Sequence, residues 1–311
     1  MSRMFWKKEC KKLNRHCLEI WLMRLALFSH CAIDIITIDG TNHEQIGGAA
    51  CYGGLTARQL KFDVDLYTKF GSDFPKQYLT QNKINFENAI SEKPTTRFAI
   101  GITGSDRTLK LLNECDPIEY TTINADGSLI TPIYHEISTE TFAKIKKDSS
   151  FTLVDPQGFL RRVDSDKNVI LENTELDLSN VDAIKVNPEE SQRIVSGSHD
   201  EMMMALQKKG VKHVIFTNKT EVSLLVKDKV YSILLPNKEV YDTTGIGDIF
   251  CATFCCTMLK EKDFLWALCF AGGAAQAALD SKQVGLLKIP HKNAIETNAS
   301  YFYNLVKYRS I

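Results

Sequence analysis

Apolar and polar residues along the chain follow an order that predicts strands alternating with helices. Residues 151–154, 183–186 and 213–217 form short, almost continuously apolar runs, which are typical of strands buried on both faces. A turn or a helical segment follows each of these runs. This alternation predicts an α/β fold in which helices cover both faces of a mostly parallel central sheet.

Other segments supply the remaining predicted elements, including one antiparallel excursion. Residues 97–103 alternate between apolar and polar positions, as a half-buried strand does. Residues 222–226 and 229–234, joined by Lys227 and Asp228, predict an antiparallel hairpin. Further strands are predicted within residues 25–38 and over 64–70, and helices over 47–60, 74–82, 247–259, 263–279 and 292–307.

Composition limits the classes of protein to which the chain can belong. The 311 residues include 38 Lys and Arg against 38 Asp and Glu, so the formal net charge is zero. A dedicated nucleic-acid or acidic-membrane binder would show a basic excess, and we therefore expect no nucleic-acid and no membrane partner. The hydrophobic fraction of 44% supports a large core, which excludes a disordered chain.

The nine cysteines do not form a metal-binding pattern. The sequence contains no C-x-x-C, and Cys251, Cys255 and Cys256 lie in an apolar stretch without a nearby histidine. We predict that these three are small buried side chains rather than metal ligands or disulfides. Cysteine use of this kind fits a reducing compartment, so the expected location is cytoplasmic.

The first 22 residues differ from the remainder of the chain. Six basic residues stand there against two acidic ones, a net charge of +4. The apolar stretch that follows is interrupted by charges such as Arg24 and Asp34, so it predicts neither a secretory signal nor a membrane span. We interpret residues 1–22 as an extension that precedes a single domain over residues 23–311. A surface-associating amphipathic helix is the alternative.

Polar side chains follow the predicted buried strands. Asp155 and Asn187 come directly after the first two runs, and Thr217 and Asn218 end the third. Ligands of open parallel sheets bind beyond the carboxyl ends of the strands, so these side chains predict one ligand-binding rim. Simple turn formation is the alternative for each residue taken alone.

The most specific segment is D-T-T-G-I-G-D-I-F over residues 242–250, which leads directly into an apolar helix. Gly245 and Gly247 allow a tight turn that brings successive backbone N–H groups toward a ligand. The helix presents further unpaired N–H groups and the positive end of its dipole, which suits phosphate. Asp248 adds a carboxylate that can act as general base for a hydroxyl attacking phosphorus. The segment therefore predicts a site of phosphoryl transfer.

Other nucleotide-binding and hydrolytic motifs are absent from the sequence. No glycine is followed by lysine, so there is no Walker A loop. The glycines of residues 245–247 do not continue into G-x-G-x-x-G, and neither H-E-x-x-H nor G-x-S-x-G occurs. A dinucleotide-binding fold, a zinc protease and a serine hydrolase are therefore not indicated.

These motifs make the chain, from Met23 to its end, similar to the ribokinase-like, or PfkB-type, carbohydrate kinases. D-T-x-G-x-G-D-x-F resembles the family's C-terminal signature, Gly47-Gly48 its sugar-contacting glycine pair, and N-P-E-E over residues 187–190 its N-x-x-E motif. The stretches 95–98, 106–109 and 155–158 resemble inositol-kinase-like members. The resemblance implies a three-layer sandwich with a small β-strand lid over about residues 33–46 and 93–103.

The resemblance also implies an activity, namely transfer of the γ-phosphoryl group of ATP to a hydroxyl of a small sugar or polyol. A nucleoside kinase of the same family, an ADP-dependent enzyme and, in a different class, a catalytically silent sugar or nucleoside sensor are the alternatives. Mg²⁺ is implied as cofactor, and the need for a monovalent cation stays open. A homodimer formed through the lid is the corresponding expectation for assembly.

Roles of individual residues are implied in the same way. The chain departs from the family at Ile246, where alanine is usual, and at Tyr52, where asparagine is usual. The implied catalytic groups are Asp248 as base and the backbone of Gly245, Ile246 and Gly247 as anion hole. The implied substrate contacts are Asp34, Gly47, Gly48 and Arg97. The implied ATP contacts are Thr217, Asn218, Thr244, Gly245, Gly247 and Gly273, and the implied metal contacts are Asn187 and Glu190.

Overall fold

The computed structural model describes residues 22–38, 40–103, 106–236 and 242–311. Of the predicted N-terminal extension, only Leu22 lies within these ranges. The strands in the described ranges are β1 (Arg24–Phe28), β2 (Ala32–Ile38), β3 (Thr41–Gly47), β4 (Asp63–Tyr67), β5 (Ile84–Phe86), β6 (Thr96–Thr103), β7 (Asp106–Asn113), β8 (Gly127–Ile130), β9 (Thr152–Val154), β10 (Arg161–Val163), β11 (Val169–Leu171), β12 (Ala183–Val186), β13 (His213–Asn218), β14 (Glu221–Val226), β15 (Lys229–Leu234) and β16 (Lys307–Ser310).

Helices connect most of these strands. The described helices are α1 (Gly48–Gln59), α2 (Gln77–Gln81), α3 (Thr139–Asp148), α4 (Gln157–Leu160), α5 (Pro188–Gln192), α6 (His199–Lys208), α7 (Ile246–Glu261), α8 (Phe264–Leu279) and α9 (Lys292–Leu305), with a 3₁₀ turn over Gly285–Lys288. None of the helices in the described part of the chain has the length and apolar character that a membrane crossing requires.

The central sheet has ten strands in the order β16-β15-β14-β13-β12-β9-β8-β1-β4-β5. The seven strands from β13 to β5 all pair in parallel, whereas β14, β15 and β16 extend the sheet in antiparallel fashion. A mostly parallel sheet is therefore confirmed, as is the predicted hairpin of β14 and β15.

Hydrophobic side chains fill both faces of this sheet, which makes three layers. In β1, Leu25 and Leu27 pack into one core with the helices α1, α7, α8 and α9, while Ala26 and Phe28 pack into the other with α3 and α6. Successive strand residues point to opposite faces, so a strand buried on both sides must be apolar throughout. The α/β sandwich is confirmed.

A second sheet of four strands, in the order β3-β2-β6-β7, lies beside the central one. It contains the segments that were expected to form the lid, and β2 pairs in parallel with β6 while β3 and β7 pair antiparallel at the edges. Its apolar side chains, including Ile36, Phe98 and Ile100, form a small third core with Ile133 and Tyr134.

The C-terminal segment differs from the prediction. The last helix was expected to reach residue 307, but α9 ends at Leu305, and Lys307–Ser310 pairs with β15 as β16. Val306 has an extended ψ of 132°, which ends the helix and redirects the chain to the sheet edge. The three predicted buried cysteines of α7 are confirmed as free and buried.

Candidate active site

A cleft of about 270 Å³ lies where the carboxyl ends of β9 and β12 meet the first turn of α7 and the inner surface of the second sheet. Elements that are far apart in sequence converge here, as expected for an open parallel sheet. The cleft is lined by eight of the residues for which the sequence implied a function: Asp34, Gly48, Asn187, Glu190, Thr244, Gly245, Gly247 and Asp248.

The N-terminal end of α7 with the turn before it, residues 243–248, forms one wall of the cleft and is called the helix mouth. Gly245 precedes the helix in a left-handed conformation with φ of 73°, which glycine adopts without strain. A side-chain carbon on Gly245 would collide with the ring of Tyr52, so the backbone can approach this ring only without a side chain. The N-terminal end of a 16-residue helix therefore lies against the cleft with its backbone close to the ring of Tyr52. The first N–H groups of a helix have no partners within the helix, although the Ile246 N–H donates to the backbone oxygen of Thr243 at 3.4 Å.

Asp248 lies in the first turn of α7 and lines the cleft, although its side chain is buried. Burial raises the pKa of this carboxyl group to about 7, and the negative charge of Asp155 adds to the rise, while Lys185 and Arg161 act against it. A carboxyl group that titrates near neutral pH can both accept and release a proton there. The geometry and the pKa suit a general base.

Lys185 points into the same cleft from β12. Its ammonium lies 3.0 Å from Asp155 Oδ2 and 3.8 Å from Glu190 Oε2. Burial disfavours the ammonium, but the charges of the two carboxylates outweigh burial, so the pKa of Lys185 stays above its ordinary value. A side-chain carbon on Gly247 would lie 3.5 Å from Lys185 Nζ. A fixed positive charge therefore stands next to the helix mouth.

Asn187 and Glu190 form the N-terminus of α5 and bond to each other. Asn187 Oδ1 accepts from the Glu190 N–H at 2.8 Å, and Glu190 Oε2 accepts from the Asn187 N–H at 2.9 Å. Among the described residues, no group of three or more His, Cys, Asp or Glu side chains is close enough to hold a metal ion. This donor set fits a Mg²⁺ ion that arrives with phosphates and keeps most of its waters.

The other wall of the cleft comes from the second sheet and α1. Asp34, on β2, is buried and lines the cleft. A side-chain carbon on Gly47 would collide with the Asp34 carboxylate, and one on Gly48, where φ is 79°, would lie 2.7 Å from the backbone oxygen of His30. The glycine pair therefore permits the close packing that places Asp34 and α1 against the cleft.

Gln157 and Arg161, besides Lys185, also line the cleft without having been assigned to the site by the sequence analysis. The Arg161 guanidinium donates to Gln157 Oε1 at 2.7 Å and to the backbone oxygen of Ile133 at 2.9 Å. It lies 5.9 Å from the ring centre of Phe98. Gln157 and Arg161 are four residues apart, a spacing at which one helical turn brings two side chains together.

Six residues with implied roles do not line the cleft, and two of them, Gly47 and Ile246, are direct neighbours of residues that do. Arg97 pairs instead with Glu44 at 2.7 Å and with Asp73 at 3.4 Å. Thr217 and Asn218 lie further along the rim, at the end of β13, where both pair with β14. Gly273 is buried between α8 and α9, where a side-chain carbon would lie 2.7 Å from the backbone oxygen of Ile295.

The fold and the cleft together define a class of enzyme, a phosphotransferase with an alcohol group as acceptor. The family model of the pfkB family carbohydrate kinases matches residues 24–292. The chain therefore belongs to this family of carbohydrate kinases. A sequence search among curated proteins gave no match.

Solved structures of ribokinase-family kinases share the fold. A pyrophosphate-dependent kinase of that family, solved with a pyrophosphate analogue and myo-inositol, is 19% identical with a TM-score of 0.75, over 88% of this chain and 99% of its own. The ribokinase of Arabidopsis thaliana, solved with ribose and ATP, is 16% identical with a TM-score of 0.68, over 89% and 99%. The nucleoside kinase of Methanocaldococcus jannaschii is 16% identical with a TM-score of 0.67, over 90% and 99%.

Proposed function

We propose that this carbohydrate kinase transfers the γ-phosphoryl group of ATP to a hydroxyl of a small, neutral polyol or sugar. The observation that carries the proposal is the position of Asp248, a buried carboxyl group with a pKa of about 7, in the first turn of a glycine-led helix that lines the cleft. A base and a set of N–H donors then face the same small volume, as phosphoryl transfer to a hydroxyl requires.

The charges of the cleft favour a neutral acceptor. Its lining carries four carboxyl groups, on Asp34, Asp155, Glu190 and Asp248, against two cationic groups, on Arg161 and Lys185. An acceptor with its own phosphate would add negative charge to this lining. Carboxylate and guanidinium groups instead bind hydroxyls through charge-assisted hydrogen bonds. Inositol-like polyols and monosaccharides meet these requirements, and the similar kinase solved with myo-inositol supports the former.

The transfer step follows from the positions of the chain's own groups. Asp248 accepts the proton of the acceptor hydroxyl as its oxygen bonds to the γ-phosphorus. The bond between that phosphorus and the bridging oxygen breaks, and ADP leaves with the electron pair. The backbone of Gly245, Ile246 and Gly247 and the ammonium of Lys185 face the negative charge on the transferred group. The carboxylate of Asp248 thereby becomes neutral as charge builds up on the phosphate.

The donor end of the cleft lies toward Lys185, Asn187 and Glu190. Mg²⁺ entering with ATP would neutralise phosphate charge, and Glu190 and Asn187 would hold it through its water ligands. Structures of similar kinases contain ATP or a pyrophosphate analogue. We propose ATP as the donor because this is the usual substrate of the family, and pyrophosphate is the donor to test against it.

A screen of acceptors with both donors tests the proposal. Release of ADP or orthophosphate is measured with myo-inositol, ribose, fructose, ketogluconate and a set of nucleosides as acceptors. We expect acceptor-dependent turnover with ATP on a polyol or sugar. Preferred turnover on a nucleoside would establish the alternative acceptor class, and ligand binding without turnover under every donor would establish a sensor.

A further inference from the structure

A second buried lysine, Lys288, lies behind the helix mouth. Its side chain is 0% exposed, and its ammonium bonds to Asp242 Oδ2 at 2.8 Å and to the backbone oxygen of the same residue at 2.9 Å. A buried ammonium needs such oxygen partners because burial otherwise favours its neutral form. Lys288 and Asp242 are 46 residues apart in the chain. The contact therefore joins the phosphate-binding segment to a distant part of the fold.

The Asp242 carboxylate that pairs with Lys288 also accepts hydrogen bonds from two backbone N–H groups. Its Oδ1 accepts from the Thr244 N–H at 2.8 Å, and its Oδ2 accepts from the Gly285 N–H at 2.9 Å. Although burial opposes ionisation, the hydrogen bond from Lys288 and those from the backbone lower the pKa of Asp242 below its ordinary value. An ionised Asp242 therefore ties the turn that precedes Gly245 to the 3₁₀ turn that ends with Lys288.

Tyr52 closes this cluster on the side of the cleft. The Lys288 ammonium lies 5.7 Å from the centre of the Tyr52 ring, within reach of a cation–π interaction. The same ring lies directly against Gly245, at the start of the anion hole. The ammonium is thus separated from the cleft by one aromatic side chain, and Lys288 does not line the cleft.

This arrangement bears on the open question of a monovalent cation. A free monovalent cation that stabilised the phosphate-binding segment, residues 242–250, at the position of the Lys288 ammonium would need carboxylate and backbone oxygens as ligands. The carboxylate and the backbone oxygen of Asp242 are already bonded to the Lys288 ammonium. A second cation at this place would be repelled by the first. Within the part of the chain that the structure describes, the residues next to Asp242 and Lys288 therefore do not fit a free monovalent cation.

We propose that Lys288 is a built-in cation, a positioning residue that holds the Asp242–Thr244 turn so that the anion hole forms without a free monovalent cation. The proposal rests on the proposed function, since the anion hole has a role only in phosphoryl transfer. It predicts that phosphoryl transfer by the unaltered protein does not depend on potassium or ammonium ions.

The first measurement uses the unaltered chain. Turnover and the thermal unfolding midpoint are compared in potassium, ammonium, sodium and choline chloride at equal ionic strength. We expect the same turnover and the same midpoint in all four salts. A several-fold rise of turnover in potassium, or a rise of the midpoint specific to potassium, would overturn the proposal. Absence of turnover in every salt would count against the proposed function, and the midpoint would still test the cation.

The second measurement creates the need for an external cation. In Lys288→Ala we expect turnover to fall about tenfold to a hundredfold through kcat, and potassium or methylammonium to restore part of it. The same cations should raise the unfolding midpoint of the variant, because they bind only the folded form. If the variant does not fold in choline chloride, recovery of folding in methylammonium chloride is the readout.

Lys146→Ala is the matched control. Lys146 is also buried and bonds to the carboxylate and to the backbone oxygen of a single aspartate, Asp177, but on α3 and away from the cleft. Its loss should lower stability without making turnover dependent on a cation. Full activity of Lys288→Ala in choline chloride, or a folded, inactive Lys288→Ala that no cation restores, would overturn the proposal.

Discussion

Two buried lysines flank the mouth of α7, and their surroundings differ. Lys185 lines the cleft, its side chain is 10% exposed, and it lies between the carboxylates of Asp155 and Glu190. Lys288 is fully buried and bonds to the carboxylate and the backbone oxygen of Asp242. One ammonium faces the space where a phosphate would lie, and the other faces the protein that shapes this space.

Under the proposed function, the difference separates a residue that contacts the substrate, Lys185, from a residue that supports the wall of the cleft, Lys288. Lys185 shares its charge with Asp155, directly after β9, and with Glu190, on α5, so in the proposed mechanism an arriving phosphate competes for it. Lys288 has partners that belong to the backbone turn itself, so it is committed to the fold. We therefore expect the two lysines to differ in function, because the ammonium of Lys185 lines the cleft and that of Lys288 is enclosed by protein. Substitutions in the residues that line the cleft, compared with substitutions in the residues that support its walls, test this difference.

The largest expected effect comes from the base at the centre of this arrangement. Asp248→Asn keeps the shape of the side chain and removes the proton acceptor, so kcat should fall by about 10²–10⁴-fold while the acceptor still binds. Single-turnover kinetics and calorimetric binding of the acceptor measure the two quantities separately. Asp166→Asn, at an exposed site outside the cleft lining, serves as control. Near-normal turnover of Asp248→Asn would remove Asp248 from the role of base.

A smaller effect distinguishes the two lysines. Lys185 acts against the rise in the pKa of Asp248, so Lys185→Met should raise that pKa and move the acidic limb of kcat/KM to higher pH. We also expect kcat to fall by about tenfold to a hundredfold, because a charge near the transferred group is lost. Lys288→Met should lower kcat but leave the acidic limb in place. An equal displacement of the limb in both variants would contradict the distinction.

The smallest expected effect compares two arginines. Arg161 lines the cleft, whereas Arg97 pairs with Glu44 and Asp73 outside it. Arg161→Gln should raise the KM for the acceptor by about tenfold, since it removes one charged hydrogen-bond donor from the lining. Arg97→Gln should raise this KM far less. The KM for the acceptor, measured in both variants, decides between the two arginines. A larger rise in Arg97→Gln than in Arg161→Gln would assign the acceptor contact to Arg97.

The sequence alone predicted those parts of the site whose residues lie close together in the chain. Asp248 and the glycines beside it belong to one segment, and Asn187 and Glu190 are three residues apart, so their proximity follows from turn and helix geometry. Lys185 left a weaker signal, a single charge inside an apolar strand, which indicates a buried and paired ammonium. These features follow from short-range rules.

The remainder depends on contacts between distant segments. No local pattern links Lys288 to Asp242, and the assignment of an acceptor contact to Arg97 rather than Arg161 depends on how the second sheet packs on the cleft. The expectation that Gly273 contacts ATP came from the resemblance, while its position between α8 and α9 gives this glycine a packing role. Tertiary packing decides such cases, and a single sequence does not encode it in any one segment.

The pH dependence of kcat/KM of the unaltered enzyme tests the central claim most directly. The proton acceptor must be ionised to act, and the pKa of Asp248 in the folded protein is about 7. We expect kcat/KM to fall about tenfold for each pH unit below about pH 7, and this limb to be absent in Asp248→Asn. A profile that stays flat between about pH 5 and about pH 8 would contradict the assignment of Asp248 as the base.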